Sequence, residues 1–133
     1  MTLLFVTSVF HCFITDYCGA LHTENHGILI SPKHPGTYPS NLDCTYIILL
    51  NHTSQIQITT HQLDLEADYD RITYGIGGNV EMNSRGYFTG RRRLTESPLV
   101  WEVMANTVWL RFVSDYAVEY TGFNISWQAT GKH

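Results

Sequence analysis

Gly122-Phe123-Asn124-Ile125-Ser126-Trp127-Gln128 is the stretch that decides the fold. Phe123, Ile125 and Trp127 fall on one face of an extended chain, and Asn124, Ser126 and Gln128 on the other. Period two with one apolar face marks a half-buried β-strand. Upstream, Thr107–Val113 repeats the pattern, with Val108, Leu110 and Phe112 opposed to Trp109, Arg111 and Val113. Further outward lie strand-like runs at Gly27–Ile30, Cys44–Leu50, Gln55–Leu65, Asp70–Tyr74, Tyr87–Thr89 and Leu99–Val103. Turn residues separate them: Ser31-Pro32, His34-Pro35-Gly36, Tyr38-Pro39-Ser40-Asn41, then Asn51–Ser54, Gly75–Gly78, Asn83–Gly86, Ser97-Pro98 and Ala105-Asn106. No segment carries a helical stripe. Many short strands with regular turns predict an all-β sandwich of two antiparallel sheets.

Composition agrees. The 133 residues suit one domain, and 44% hydrophobic against 15% charged residues supply a core. A net charge of −4 gives no basic face for nucleic acid. Met1 to Ile14 is mostly apolar and lacks acids, like the apolar region of a secretory signal. It is too short and interrupted to span a membrane. We therefore expect residues 1–17 to be a signal peptide or unstructured segment, 18–129 the domain and 130–133 a tail. The cysteines are Cys12, Cys18 and Cys44, and cleavage after Cys12 leaves an even pair. Sequons at Asn51 and Asn124 fit a secreted glycoprotein.

Carboxylates gather where strands end. In Leu63-Asp64-Leu65-Glu66-Ala67-Asp68-Tyr69-Asp70, Glu66 and Asp70 flank a short turn, and Ser114-Asp115 closes a later strand. Three such groups do not crowd together easily without a cation, and oxygen ligands suit a hard ion such as Ca²⁺.

Residues 18 to 129 resemble a CUB domain, an extracellular β-sandwich of jelly-roll type. Cys18-Gly19 is similar to the family's opening pair. Gly27-Ile28-Leu29-Ile30-Ser31-Pro32 with His34-Pro35 and Tyr38-Pro39 resembles its G-x-I-x-SP-x-x-P-x-x-YP signature. Asn41 to Tyr46 resembles the element around the second cysteine, and Ser114-Asp115 and Gly122-Phe123 resemble the late SD and GF pieces. The resemblance implies a Cys18–Cys44 disulfide, which stabilises by roughly 3–4 kcal/mol on the loop-entropy model. The family's second disulfide is absent: no cysteine occurs in Ala67–Asp70 or in Gly86–Gly90. That one-bridge form is similar to CUB modules of CUB/sushi receptors.

In calcium-binding CUB domains of complement and tolloid-type proteases, an upstream Glu, the Asp of a YD pair and the Asp of the SD pair hold the ion. By motif these are Glu66, Asp70 and Asp115. Tyr38, from the YP pair, and Tyr116, in the loop after Asp115, are expected to join those acids in partner binding. Ala117 is a carbonyl candidate. Val118 stands near where many members carry Asn. The resemblance thus implies a non-catalytic extracellular module whose Ca²⁺-organised site accepts a partner's Lys or Arg. The alternatives are a carbohydrate-binding single-CUB protein of spermadhesin-like use, or a fragment of a larger receptor or protease.

Rival chemistries find less support. No nucleophile elbow is present. Glu and Asp alone do not make a glycosidase. His22 and His26 lie in a loop pattern, without the helix a zinc motif needs. Arg91-Arg92-Arg93 is the densest basic run, read as a solvated loop or strand edge. Trp101 and Trp109 are read as core.

Overall fold

The computed structural model describes residues 18–53, 55–80, 82–92 and 98–131. The expected signal segment with Cys12, the third arginine of the basic run (Arg93) and the last two residues lie outside them. Ten strands form in chain order: β1 (Ala20–His22), β2 (His26–Ile30), β3 (Asp43–Leu49), β4 (Ile56–Asp64), β5 (Arg71–Ile76), β6 (Ser84–Phe88), β7 (Arg91–Arg92), β8 (Leu99–Val103), β9 (Thr107–Val113) and β10 (Gly122–Ala129). No helix occurs among the described residues. The first sheet runs β1-β3-β9-β5-β6, and the second runs β2-β10-β4-β7 with β8 also on β4.

Alternation builds the core as expected. Cys44, Tyr46 and Ile48 of β3 and Val108, Leu110 and Phe112 of β9 are buried together with Phe123, Ile125 and Trp127 of β10. Phe112 and Phe123 meet edge to face at 5.1 Å. Each large apolar side chain removed from water contributes about 1.5–3 kcal/mol.

Three features depart from simple alternation. β1 pairs parallel to β3, so the first sheet is not wholly antiparallel. The Cys18–Cys44 disulfide ties the chain just before β1 to β3 and holds it there. Trp109 lies on the outward-facing side of β9 yet is only 1% exposed. Its cross-strand partner is Gly75, where an added Cβ would fall 2.5 Å from the indole. β4 carries a bulge at His61, opposite the Asn124/Ile125 step of β10, which lets Thr60 and Leu63 both face inward.

The end of the sandwich that bears the acidic loops is sewn by backbone bonds. Tyr38 N–H donates to Tyr120 O (3.0 Å), and Asn41 N–H donates to Asp115 O (2.7 Å). The Ser114 hydroxyl donates to Pro39 O (2.9 Å) and accepts from Leu42 N–H (2.9 Å). Gly122, at φ +90°, sits against Ser31, whose Oγ a Cβ would overlap at 1.9 Å. The proline-rich connection is thereby clamped onto the loop between β9 and β10.

Candidate metal centre

The turn after β4 and the loop after β9 meet at this end. Glu66, Asp70 and Asp115 each offer a carboxylate oxygen, and the three atoms lie within 4.8 Å of one another. Among the described residues no other group of three or more His, Cys, Asp or Glu comes together this way.

Each carboxylate is placed by its own set of contacts. Asp70 immediately precedes β5 and is fully buried. Its Oδ2 accepts the Tyr38 hydroxyl at 2.5 Å and its Oδ1 accepts the Asp115 N–H at 2.9 Å. The Tyr38 hydroxyl in turn accepts the Glu66 N–H at 3.2 Å, so one phenol positions two of the acids. Asp70 N–H donates to Glu66 O at 3.0 Å, closing the turn. Asp115 Oδ1 accepts Ala117 N–H at 3.2 Å.

Among the described residues, the charges that act on Glu66 and Asp70 are all negative. Burial first, then the Asp115 and Asp70 charges, push the Glu66 carboxyl above the ordinary range. Burial also outweighs the Tyr38 and Asp115 hydrogen bonds and pushes Asp70 up. Burial and the Asp70 hydrogen bond raise the Tyr38 phenol, which stays protonated and donating. Glu66 Oε1 is buried and has no hydrogen-bond partner. An orphan carboxylate oxygen beside two further carboxylates is an acceptor set that lacks a cation, and its oxygen chemistry fits Ca²⁺.

Tyr38 corrects one expectation. Read from sequence as partner-facing, it is 0% exposed and stacks edge-on against Phe112 at 5.0 Å. It has no surface to offer; it holds the carboxylates. Tyr116 is 82% exposed beside Asp115. Val118 takes φ +65°, a conformation costly for a β-branched side chain.

Sequence reasoning missed two contributors. The Thr89 hydroxyl donates to Asp70 O (2.6 Å) and accepts Asp68 N–H (3.0 Å), tying the end of β6 to the acidic turn. Thr89 lies in the stretch where the second disulfide was sought, so polar bonds tie the two regions that lack it. Ser40 hydrogen-bonds Glu119, which adds a further negative charge near Glu66. Neither Thr89 nor Ser40 stands in a motif that sequence alone would single out.

The other sequence-level candidates lie elsewhere. Asn51 is in an exposed turn, and Asn124 is on β10 in register with Ile30. Arg91 and Arg92 form the edge strand β7. Trp101 packs with Tyr74 and Phe88.

A disulfide-bridged sandwich with this loop clamp and acidic cluster defines an all-β module. The CUB domain family matches residues 18–127, and the chain belongs to it. Pig (Sus scrofa) cubilin is 34% identical over 115 residues, which is 85% of this chain and 3% of that protein. The zinc metalloproteinase nas-39 of Caenorhabditis elegans is 34% identical over 121 residues, 85% of this chain and 13% of that one. The chain therefore spans a small fraction of the relatives it matches. Among solved structures, the MASP-1 CUB2 domain bound to Ca²⁺ superposes with a TM-score of 0.72 at 26% identity, covering 85% of this chain and all of that one.

Proposed function

We propose that this CUB domain is a non-catalytic extracellular module for protein recognition. In this reading Ca²⁺ is held by Glu66, Asp70 and Asp115. The observation that carries the reading is the approach of three carboxylate oxygens to within 4.8 Å, beside a buried Glu66 oxygen without a partner. The Ca²⁺-bound MASP-1 domain, similar in fold, supports the choice of ion. One divalent cation offsets two of three charges, so a residual negative charge faces outward beside Tyr116. A partner's Lys or Arg fits that charge, and pairing it in a desolvated contact makes it costly to remove. The Cys18–Cys44 disulfide and the Asn51 and Asn124 sequons support an extracellular location.

Thermal unfolding tests the ion. With Kd near 10⁻⁴ M, as for many extracellular calcium modules, about 1 mM CaCl₂ stabilises by roughly 1.4 kcal/mol and raises Tm by about 5 °C. MgCl₂ at the same concentration is expected to do less, and Glu66→Gln to abolish the rise. A calcium effect that survives Glu66→Gln unchanged would place the ion elsewhere.

A further inference from the structure

β2 is the outermost strand of the second sheet and pairs only with β10. Bonds at both ends fix the phase of that ladder: Ser31 N–H donates to Phe123 O (3.1 Å) and Ala129 N–H donates to Asn25 O (2.8 Å). Hydrogen-bonded and non-bonded pairs alternate along an antiparallel ladder. The odd-numbered residues from Asn25 to Ser31 therefore direct their main-chain groups at β10. His26, Ile28 and Ile30 direct theirs at the open edge, where no other segment among the described residues hydrogen-bonds to them.

The side chains leave this edge unguarded. Leu29 is buried, but Ile28 and Ile30 face outward at 63% and 45% exposure. Sheet edges are ordinarily protected by charged side chains, by proline or by a covering segment. The strand His26-Gly27-Ile28-Leu29-Ile30 holds neither an acid, a lysine, an arginine nor a proline. Opposite charges stand at its two ends instead, Glu24 before it and Lys33 after it. Both are exposed, and neither is in an ion pair.

We propose that β2 pairs antiparallel with β2 of a second copy of this chain, about a twofold axis at Ile28. Ile28 then lies opposite its own counterpart, and His26 lies opposite Ile30 of the second copy. All three edge-facing residues gain main-chain partners, and the isoleucines of both copies form one apolar row on the outward face. The same axis brings Glu24 of each copy to the Lys33 end of the other. An isologous contact must be complementary to itself, and this edge is so in pattern and in charge, which favours a second copy over an unrelated strand. Pairing extends the sheet in its own plane, so a glycan rising from the sheet face at Asn124 does not compete for the space. Five residues make a short seam, and the pair is a weak one, with Kd on the order of 10⁻⁴ M.

The test is sedimentation equilibrium of the oxidised chain from about 10 µM to about 1 mM, with amide hydrogen exchange at both ends of that range. We expect a monomer–dimer equilibrium. Exchange at the Ile28 and Ile30 amides should slow as concentration rises, while Leu29, already bonded to β10, changes less. Ile28→Lys sets like charges against each other at the axis and should weaken the dimer about tenfold or more. Ile28→Glu should do the same, and an equimolar mixture of the two variants should associate more tightly than either alone. Unchanged amide signals from the first sheet would show that both variants keep the fold, and the exchange pattern of the parent chain depends on no variant. The proposal is overturned if the chain stays monomeric at about 1 mM, or if a dimer forms without protecting Ile28 and Ile30. It is equally overturned if their protection is independent of concentration, the edge then being covered within one chain, or if the mixed variants gain nothing over each alone.

Discussion

Asp64 and Asp70 stand six residues apart, at the end of β4 and just before β5, and their surroundings are opposite. Asp64 accepts Arg91 Nε at 2.5 Å and both the N–H and hydroxyl of Thr121, at 3.1 and 2.5 Å. Burial alone would raise its carboxyl, but the Thr121 and Arg91 contacts win and hold it below the ordinary range. Asp70 has good hydrogen bonds too, yet burial, with the Asp115 charge beside it, outweighs them and pushes it up. The contrast shows what distinguishes a structural carboxylate from a ligand. A carboxylate that owns a protein cation is complete. One buried among other carboxylates is completed by a cation from outside.

The contrast breaks most severely at Asp70 itself. Asp70→Ala leaves the Tyr38 hydroxyl and the Asp115 N–H without their acceptor. We expect about 3 kcal/mol of lost stability in urea unfolding and no measurable calcium binding. Tyr38→Phe keeps the ring against Phe112 but removes the phenol shared by Asp70 and Glu66. It should cost about 1–2 kcal/mol and weaken calcium binding about tenfold. Equal calcium affinity in Tyr38→Phe would mean that the phenol does not position the acids.

Acid sharpens the same comparison. With Glu66 and Asp70 raised in the folded state, the calcium-free folded chain binds more protons than the unfolded one just above the ordinary carboxylate pKa. Their contribution to stability therefore grows as pH falls through the raised values. Asp43 and Asp64, held low, run the other way: their contribution is full above the ordinary carboxylate pKa and is lost as pH falls below it. Protons compete with the ion only at the first pair. The calcium-induced rise in Tm should shrink as the solution is acidified from neutral toward the carboxylate range, and a rise that stays flat on acidification would contradict the assignment.

Smaller effects lie at the rim. Val118→Asn should stabilise by about 1 kcal/mol, since Asn tolerates the left-handed backbone that Val118 adopts. Arg91→Ala removes an exposed partner of Asp64, so it should change stability by less than about 1 kcal/mol and leave calcium binding untouched.

Most of the fold was legible because alternation is a local property. The runs in Thr107–Val113 and Gly122–Trp127 map onto β9 and β10 within two residues. β1 and β7 were not legible: at three and two residues they are too short to show a period, and pairing alone defines them. The parallel pairing of β1 sits beside the Cys18–Cys44 disulfide, a contact across 26 residues. The acids were readable from motif and position, but their convergence needed the fold. The burial of Tyr38 was not readable, because a tyrosine in a proline-rich loop looks solvent-facing until that loop is clamped. Trp109 reads as ordinary alternation; only the register with Gly75 accounts for its burial.

Calorimetric titration of the oxidised chain with CaCl₂, beside Asp115→Ala, tests the central claim most directly. That variant keeps the backbone N–H that Asp70 accepts, so it removes a ligand and spares the frame. The account predicts saturable binding with Kd at or below roughly 10⁻³ M, lost in Asp115→Ala. Absence of binding in the parent chain, or equal binding in both, would contradict it.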